Sequence, residues 1–172
     1  MVITGAAGFL GGRVAKHFAA NLPEYNVLAT SRRTHRAEEL MAAGCHFLAG
    51  DLTDAVFCDQ LTHNAAAVVH CAALSAPFGA YEAFHQANIV ATETLLKASL
   101  KNGVQRFIFI STPSIYFDFT DRFGVKESDP LPAKMVNAYA KTKLKAEQIV
   151  LEMNGKGIET IALRPRAIVG AE

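Results

Sequence analysis

The chain begins with Met1-Val-Ile-Thr-Gly-Ala-Ala-Gly-Phe-Leu-Gly-Gly12, in which a short apolar strand runs into a turn with three regularly spaced glycines. Apolar residues then recur at helical spacing, which predicts a helix directly after the turn. Gly5 allows a tight turn, Gly8 lets a ligand approach the backbone, and Gly11 lets the helix pack closely on the strand. The free N–H groups at the start of the helix would then favour a bound pyrophosphate.

The glycine spacing is G-x-x-G-x-x-G, whereas the more common dinucleotide fingerprint is G-x-G-x-x-G. Taken alone, the motif fits any glycine-rich turn of an α/β protein equally well. Its position between a strand and a helix is what a dinucleotide site requires.

Composition excludes several classes of function. The 172 residues include 17 Lys and Arg against 16 Asp and Glu, for a net charge of +1, which argues against nucleic-acid binding through bulk charge. No apolar run reaches the ~18–20 residues that a membrane span needs, and no signal peptide is recognisable. The histidines show no metal-ligand spacing. Three unpaired cysteines, Cys45, Cys58 and Cys71, are interpreted as reduced, buried thiols of a cytoplasmic protein.

Strands and helices are predicted to alternate along the whole chain, with a long loop at 112–135. The six strands are expected at 1–3, 25–30, 45–49, 65–71, 105–111 and 159–163. Such alternation predicts one α/β domain, a Rossmann-like doubly wound parallel sheet of order 3-2-1-4-5-6 with helices on both faces. The apolar run of the fifth strand is typical of a strand buried on both faces.

Ligands bind such sheets at the carboxyl ends of the strands. Besides the glycine turn, the segments expected at these ends are Ser31-Arg32-Arg33, Asp51, Ala72-Ala73, Ser111-Thr112 and Pro165.

Tyr139 and Lys143 lie four residues apart and therefore share one face of a predicted helix at 136–153. A lysine ammonium one turn away favours the phenolate form of a tyrosine, so the pair could pass a proton to or from a substrate oxygen. A hydroxyl at the neighbouring strand end, Thr112 or Ser111, could orient the same oxygen. Alone, however, a Y-x-x-x-K pattern is more often a solvated helix face.

Together these segments resemble the extended short-chain dehydrogenase/reductase family, also called the NAD-dependent epimerase/dehydratase family. Seven motifs in family order carry the resemblance: Thr4 to Gly11, Gly50-Asp51-Leu52, His70 to Ala73, Asn88 to Leu96, Ser111 to Tyr116, Tyr139-x-x-x-Lys143 and Leu163-Arg164-Pro165. Each motif is weak alone, and their common register makes chance agreement improbable.

The resemblance implies a role for each matching residue. Tyr139 would be the general acid/base, Lys143 would hold the nicotinamide ribose, and Thr112 would bind the substrate oxygen, with Ser111 and Ser114 as alternatives. Asn88 either lies near the active site or stabilises its helix. No metal is required. With the strand ends, the residues expected to bind the cofactor are Gly5, Ala7, Gly8, Phe9, Leu10, Gly11, Ser31, Arg32, Arg33, Asp51, Leu52, Ala72, Ala73, Tyr139, Lys143 and Pro165.

The end of the second strand indicates which nicotinamide cofactor binds. NAD-binding members usually place an acid there, but this chain has Ser31-Arg32-Arg33 and no acid before Glu38. An arginine can pair with a 2′-phosphate, so the sequence predicts NADP over NAD. The alternative is that both arginines are ordinary surface charges.

Two departures from the family bear on function. Phe117 replaces a glycine common in sugar-nucleotide members, and with Phe119 and Phe123 it could line an apolar pocket, which favours the 3β-hydroxysteroid dehydrogenase-like branch. The chain also stops at Glu172, so the C-terminal substrate domain of the family is expected to be absent from it.

Three functions therefore remain open at this stage. The first is an oxidoreductase that interconverts a hydroxyl and a carbonyl on a small, apolar substrate. The others are a nucleotide-sugar epimerase or dehydratase with bound NAD, and a non-catalytic dinucleotide-binding module. A homodimer through the helices at 81–101 and 136–153 is implied by the resemblance alone.

Overall fold

The computed structural model describes residues 1–170. Its strands are β1 (Val2–Thr4), β2 (Leu28–Ser31), β3 (His46–Ala49), β4 (Ala67–His70), β5 (Arg106–Ile110) and β6 (Glu159–Leu163). Its α-helices are α1 (Phe9–Asn21), α2 (Ala37–Ala42), α3 (Ala55–Thr62), α4 (Tyr81–Phe84), α5 (Ala91–Lys101) and α6 (Ala138–Glu152). A π-helical turn at His85–Val90 joins α4 to α5, and a 3₁₀ turn at Pro113–Tyr116 begins the long loop. The predicted elements are all present, with ends that differ by a few residues.

The six strands form one parallel sheet in the order β3-β2-β1-β4-β5-β6, which confirms the predicted topology. The winding direction reverses between β1 and β4. In such a sheet a crevice opens at the carboxyl ends of the strands beside this reversal, and ligands bind there. The fold thus places the glycine turn after β1 directly beside the chain that leaves β4.

Helices cover both faces of the sheet, as predicted. One core joins α3, α5 and α6 to the sheet through residues such as Leu61, Leu95 and Val150. The other joins α1 and α2 to the sheet through residues such as Ala15 and Leu40. Burial of these apolar side chains is the main force that holds the layers together.

The strands at the β6 edge are less buried than the sequence predicts. Phe107 and Phe109 of β5 are fully buried, whereas Ile108 is only partly buried. Ile161 and Leu163 on β6 are 42% and 47% exposed. The reason is that α1 and α2 pack over β1, β2 and β3, so within residues 1–170 no helix covers β6 on that side.

Two local features agree with the sequence. Lys101 ends α5 at Asn102-Gly103, and Gly103 has a φ of +70°, the left-handed conformation that commonly ends a helix. None of the helices among residues 1–170 has the length and apolar character needed to cross a bilayer.

Candidate active site

The glycine turn after β1 is shaped by contacts that exclude side chains. Gly5 has a φ of +67°, and a Cβ there would lie 2.8 Å from the backbone of Ala72. A Cβ on Gly11 would lie 2.5 Å from the carbonyl oxygen of Gly5 and 2.9 Å from that of Thr4. The tight turn at Gly5 and the close packing of α1 at Gly11 are therefore as predicted. Gly8, whose Cβ would meet Gly5 at 3.2 Å, is less constrained by the protein itself.

The N-terminus of α1 opens onto this turn without a capping side chain. Gly8 is the N-cap, and the first turn carries no acidic residue. The N–H groups of Phe9, Leu10 and Gly11 have no partner within the helix, because the first turn of any helix lacks them. The helix dipole adds positive potential at the same place. This end of α1 is consequently suited to an anion.

The ends of β2 and β3 bring the arginine pair beside an acid. A nitrogen of the Arg32 guanidinium lies 3.7 Å from a carboxylate oxygen of Asp51. Hydrogen bonds from Thr53, joined by the Arg32 charge, hold the pKa of Asp51 below its usual value despite partial desolvation. The backbone N–H of Arg33 donates to the Ser31 hydroxyl at 3.3 Å. The predicted residues do meet here, and the Arg32 charge is partly offset by Asp51.

The residues after β3 and β4 lie on the two sides of the crevice. Leu52 is 8% exposed and packs in the core that joins α3, α5 and α6 to the sheet, so its contact with the cofactor stays a prediction. Ala72 lies against Gly5, and Ala73 is exposed next to it. Asn88, from the π turn, accepts from the N–H of Leu74 at 2.7 Å and donates to its carbonyl at 3.1 Å. Asn88 thereby fixes the loop that follows Ala73.

Helix α6 carries the two residues predicted to transfer a proton. Asn137 caps the helix by accepting from the N–H of Ala140 at 2.8 Å, which places Tyr139 in the first turn. Tyr139 is partly exposed, while Lys143, one turn later, is 2% exposed. The Y-x-x-x-K segment is therefore not a solvated helix face, because its lysine points into the protein.

Lys143 is held by the end of β5. Its Nζ donates to the carbonyl of Ile110 at 2.6 Å and lies 3.9 Å from the centre of the Phe109 ring. Burial lowers the pKa of Lys143 to about 7, although the nearby Cys71 and Glu147 act in the opposite direction. Near neutral pH, this lysine can therefore either carry a charge or accept a proton.

The hydroxyl residues at the end of β5 differ in how they are bonded. Thr112 caps the 3₁₀ turn, accepting from the N–H of Ser114 at 3.2 Å and donating to its hydroxyl at 3.0 Å. Ser111 Oγ is buried, and its interaction with the Glu147 carboxylate helps to lower the pKa of that group. Thr112 is buried as well, at 6% exposure. Thr112, Ser111 and Ser114 thus all remain available as candidates to orient a substrate oxygen.

A buried ion pair supports this region, and the sequence analysis missed it. Glu147, one turn beyond Lys143 on α6, accepts from Arg164 Nε at 3.0 Å. Arg164 also donates to the hydroxyl of Tyr116, which donates to the carbonyl of Glu127 at 3.2 Å. Burial would raise the pKa of Glu147, but the Arg164 bonds outweigh it and hold it low. No sequence spacing indicates this pair, because its two members lie 17 positions apart.

The segment after β6 returns towards the glycine turn. Pro165 is partly buried, and a Cβ on Gly170 would lie 3.1 Å from the Phe9 ring. Among residues 1–170, no group of three or more metal-ligating side chains is close enough to hold a metal ion. The predicted site residues thus lie along the carboxyl ends of the strands, from Arg32 after β2 to Pro165 after β6.

The described residues fit a dinucleotide. The turn at Gly5 and Gly11 leaves no room for side chains, and the first turn of α1 carries no competing acid. Residues 1–172 match the NAD dependent epimerase/dehydratase family. The chain belongs to that family. This confirms the resemblance that the seven motifs carried.

Relatives within the family include reductases and dehydrogenases. The chain is 33% identical over 170 residues to 4-hydroxy-2-methyl-3-oxo-4-farnesyl-3,4-dihydroquinoline-1-oxide ketoreductase of Stigmatella aurantiaca, covering 99% of this chain and 50% of that protein. It is 32% identical over 186 residues to 3 beta-hydroxysteroid dehydrogenase/Delta 5-->4-isomerase of Mycobacterium tuberculosis (strain H37Rv), covering 99% and 47%. This chain thus spans about half the length of these curated relatives.

A solved structure of the same fold holds a nicotinamide cofactor. It is a double mutant of DesIV, a dTDP-glucose 4,6-dehydratase of Streptomyces venezuelae, with NAD bound. The two structures align with a TM-score of 0.82 and 26% sequence identity, over 95% of this chain and 54% of the other. The likeness confirms the Rossmann-like architecture at the level of the whole sheet.

Proposed function

We propose that the chain is the cofactor-binding and proton-transferring part of an NAD(P)-dependent oxidoreductase that interconverts a hydroxyl and a carbonyl. One observation carries the proposal. The glycine turn from Gly5 to Gly11, here called the cofactor cradle, and the buried Lys143 on α6 both lie at the carboxyl ends of the strands. Membership of an NAD-dependent family supports it. Because the relatives are about twice as long, the activity of the whole protein is part of the proposal.

Each residue has a distinct task in this mechanism. The glycine turn and the N–H groups of α1 would hold the pyrophosphate, and the bound nicotinamide would supply or accept the hydride. Tyr139 exchanges a proton with the substrate oxygen. Thr112 orients that oxygen by a hydrogen bond. Lys143 holds the nicotinamide ribose.

NADP is the cofactor favoured over NAD. Arg32 and Arg33 are both exposed at the end of β2, where they are free to meet a 2′-phosphate. The carboxylate nearest to this end is that of Asp51, which already accepts two hydrogen bonds from Thr53 and faces Arg32. Its Oδ1 accepts both of these bonds and its Oδ2 faces Arg32, so this carboxylate already interacts with the protein itself. This supports a site for a 2′-phosphate in place of a free 2′-hydroxyl.

An apolar substrate is favoured by the loop that follows β5. Phe117 and Phe119 contact each other with ring centres 5.0 Å apart, and both are exposed, as is Phe123 at 94%. Exposed aromatic rings beside a polar site are typical of a pocket for an apolar ligand. Two relatives act on compounds named as farnesyl-bearing or as hydroxysteroids, which agrees with such a pocket.

The proposal is tested by titrating the chain with NADPH and NADH in parallel and following nicotinamide fluorescence. We expect NADPH to bind more tightly, and Arg32→Ala to reduce the NADPH/NADH affinity ratio about tenfold, as for the loss of one charged hydrogen bond. Arg106→Ala, at the opposite end of the sheet, should leave the ratio unchanged. An unaltered ratio in Arg32→Ala would refute the role of Arg32.

A second candidate is a nucleotide-sugar epimerase or dehydratase, which the likeness to DesIV favours. Such enzymes recycle their cofactor, so NAD would stay bound during purification. Co-purified NAD and no net consumption of added NADPH would replace the first proposal with this one. Binding of NADPH with no reaction on any ketone in the full-length protein would instead indicate a binding module.

A further inference from the structure

His70, at the carboxyl end of β4, is completely buried and has no part in the proposed proton transfer. Its Nδ1 lies 2.7 Å from the Thr4 hydroxyl and its Nε2 lies 2.9 Å from the Thr92 hydroxyl. Beyond these, the N–H of Ala72 donates to Thr4 Oγ1 at 3.1 Å, and Thr92 donates to the carbonyl of Asn88 at 2.7 Å. A continuous chain of hydrogen bonds thus crosses the interior from the glycine turn to the π turn.

Counting the available hydrogens shows which group donates in each hydrogen bond of this network. The Thr92 hydroxyl has one hydrogen and donates it to Asn88, so it must accept from His70 Nε2. The neutral imidazole then carries its hydrogen on Nε2, and Nδ1 must accept from the Thr4 hydroxyl. Thr4 in turn accepts from Ala72. With a neutral imidazole, all four hydrogen bonds are satisfied only in this arrangement.

Each end of the chain fixes a part of the candidate active site. At one end, the Ala72 backbone lies where a Cβ on Gly5 would approach within 2.8 Å, so Thr4 holds the wall of the cofactor cradle. At the other end, the Asn88 side chain binds both Leu74 and the hydroxyl of Thr142, the latter at 3.1 Å. Thr142 immediately precedes Lys143 on α6. The hydrogen-bond network therefore joins the cofactor cradle to α6, the helix that carries Tyr139 and Lys143.

We propose that His70 is a positioning residue, which sets the cofactor cradle in register with the helix that carries Tyr139 and Lys143. The inference rests on the proposed function, since the register matters only if a dinucleotide lies in the cradle. Neither lysine nor arginine could replace the imidazole, because the position requires one donor and one acceptor and these side chains have no acceptor.

The surroundings of His70 keep it neutral, as the network requires. Burial, and next the charge of Lys143, lower its pKa to about 3. The rings of Phe107 and Phe109 flank it, with centres 5.9 Å and 5.8 Å away. A buried polar group that loses its hydrogen-bond partner costs free energy, and water does not reach this site to replace the partner. We therefore expect the loss of one hydrogen bond to shift the other members of the network.

The test alters the network at Thr92, which is separated from the cradle by the His70 ring itself. Thr92→Val keeps the shape but removes the acceptor, and Thr92→Ser keeps the hydroxyl. Thr94→Val is the matched control: the Thr94 hydroxyl makes the same type of bond to the carbonyl four residues earlier, at 2.9 Å, and no further hydrogen bond of this hydroxyl is found among residues 1–170. Any cost of losing a helix-internal bond is therefore shared by both valine variants.

Two measurements on the full chain decide the question. We expect Thr92→Val to raise the dissociation constant of NADPH about tenfold, the effect of one buried hydrogen bond, with Thr92→Ser and Thr94→Val close to the unaltered chain. We also expect Thr92→Val to shift the amide resonances of Gly5 and Ala72 and to remove the slowly exchanging His70 Nε2 proton. Thr94→Val should leave these three signals in place.

The outcomes separate this inference from the proposed function. If Thr92→Val changes neither the affinity for NADPH nor the amide resonances of Gly5 and Ala72, the positioning role is overturned. If the unaltered chain binds neither NADPH nor NADH, the proposed function fails, and with it the role in cofactor binding, whatever the resonances show. A general loss of stability would weaken NADPH binding equally in Thr94→Val, and that result would also overturn the inference.

Discussion

The side-chain nitrogen of Lys143 lies 2.6 Å from the carbonyl oxygen of Ile110, and the two together join α6 to the end of β5. The ammonium has this acceptor and the face of Phe109, but almost no water around it. A compact ammonium loses much of its hydration free energy on burial, and lysine therefore changes its pKa readily inside a protein. The lowered pKa of about 7 has consequences for stability as well as for catalysis.

The free energy of unfolding should rise with pH because of Lys143. Between about pH 7 and the unfolded value of 10.5, the unfolded chain binds a proton that the folded chain does not, so alkali favours the folded state. The slope of the unaltered chain should exceed that of Lys143→Met by about 1 kcal/mol per pH unit between about pH 7 and 9. Above that range Cys45, Cys58 and Cys71, whose pKa values burial raises, act in the opposite direction. Urea unfolding between pH 7 and 10 measures it.

Lys145→Met is the control for that measurement, because Lys145 is exposed on the same helix. It should keep the slope of the unaltered chain. Equal pH dependence in Lys143→Met and the unaltered chain would contradict a neutralised, buried Lys143.

The glycines of the turn should separate into structural and ligand-binding roles. Gly11→Ala places a methyl group 2.5 Å from the Gly5 carbonyl, so we expect a loss of about 1–3 kcal/mol of unfolding free energy. Gly8→Ala meets only a 3.2 Å contact, and should cost less than about 1 kcal/mol at this N-cap position. Gly8→Ala should nevertheless weaken NADPH binding more than about tenfold, because its methyl group occupies the approach of the phosphates.

Urea unfolding and an NADPH titration of both glycine variants check this prediction. The opposite pattern, with Gly8→Ala unfolded and Gly11→Ala still stable, would show that the two roles are exchanged.

The sequence predicted the sheet order because strands and helices alternate and right-handed crossovers leave few topologies. Gly5 and Gly11 were predictable for the same local reason, since a turn followed at once by a helix restricts the space at those positions. Burial of β5 was predicted less well. Its apolar run indicates two covered faces, but which helix covers a face depends on packing between distant segments, and Ile108 stays only partly buried.

Side-chain networks were the part that the sequence could not supply. His70 was named only as part of the motif His70 to Ala73, because no pattern indicates that Thr4 and Thr92, which lie 66 and 22 positions away in the sequence, meet its ring. Glu147 and Arg164 are likewise 17 positions apart. Such pairs are defined by three-dimensional distance, whereas periodicity reports only the face of one element. The roles of Tyr139 and Thr112 stay predictions for the same reason.

The buried ion pair of Arg164 with Glu147 and the exposed ion pair of Arg106 with Glu159 should contribute differently to the free energy of unfolding. The side chains of Arg164 and Glu147 are 19% and 3% exposed, against 54% and 66% for Arg106 and Glu159. Arg164→Met leaves the Glu147 charge buried without its partner, and should cost about 3–5 kcal/mol. Arg106→Met should cost about 1 kcal/mol or less, because water already screens that pair. Urea unfolding at pH 7.5 compares them, and equal losses would contradict a buried ion pair at Arg164.

Replacing Tyr139 should remove turnover while leaving the cofactor site intact. Among the described residues its hydroxyl has no hydrogen-bond partner, so Tyr139→Phe breaks no structural bond and should not alter stability or NADPH affinity. If the hydroxyl transfers the proton, kcat should fall about 10²–10⁴-fold, the usual contribution of a general acid/base. The measurement is steady-state oxidation of NADPH with a ketone that the unaltered protein reduces. Tyr25→Phe, an exposed tyrosine beyond α1, is the control and should keep full activity. Near-normal turnover in Tyr139→Phe would assign the proton transfer to another group.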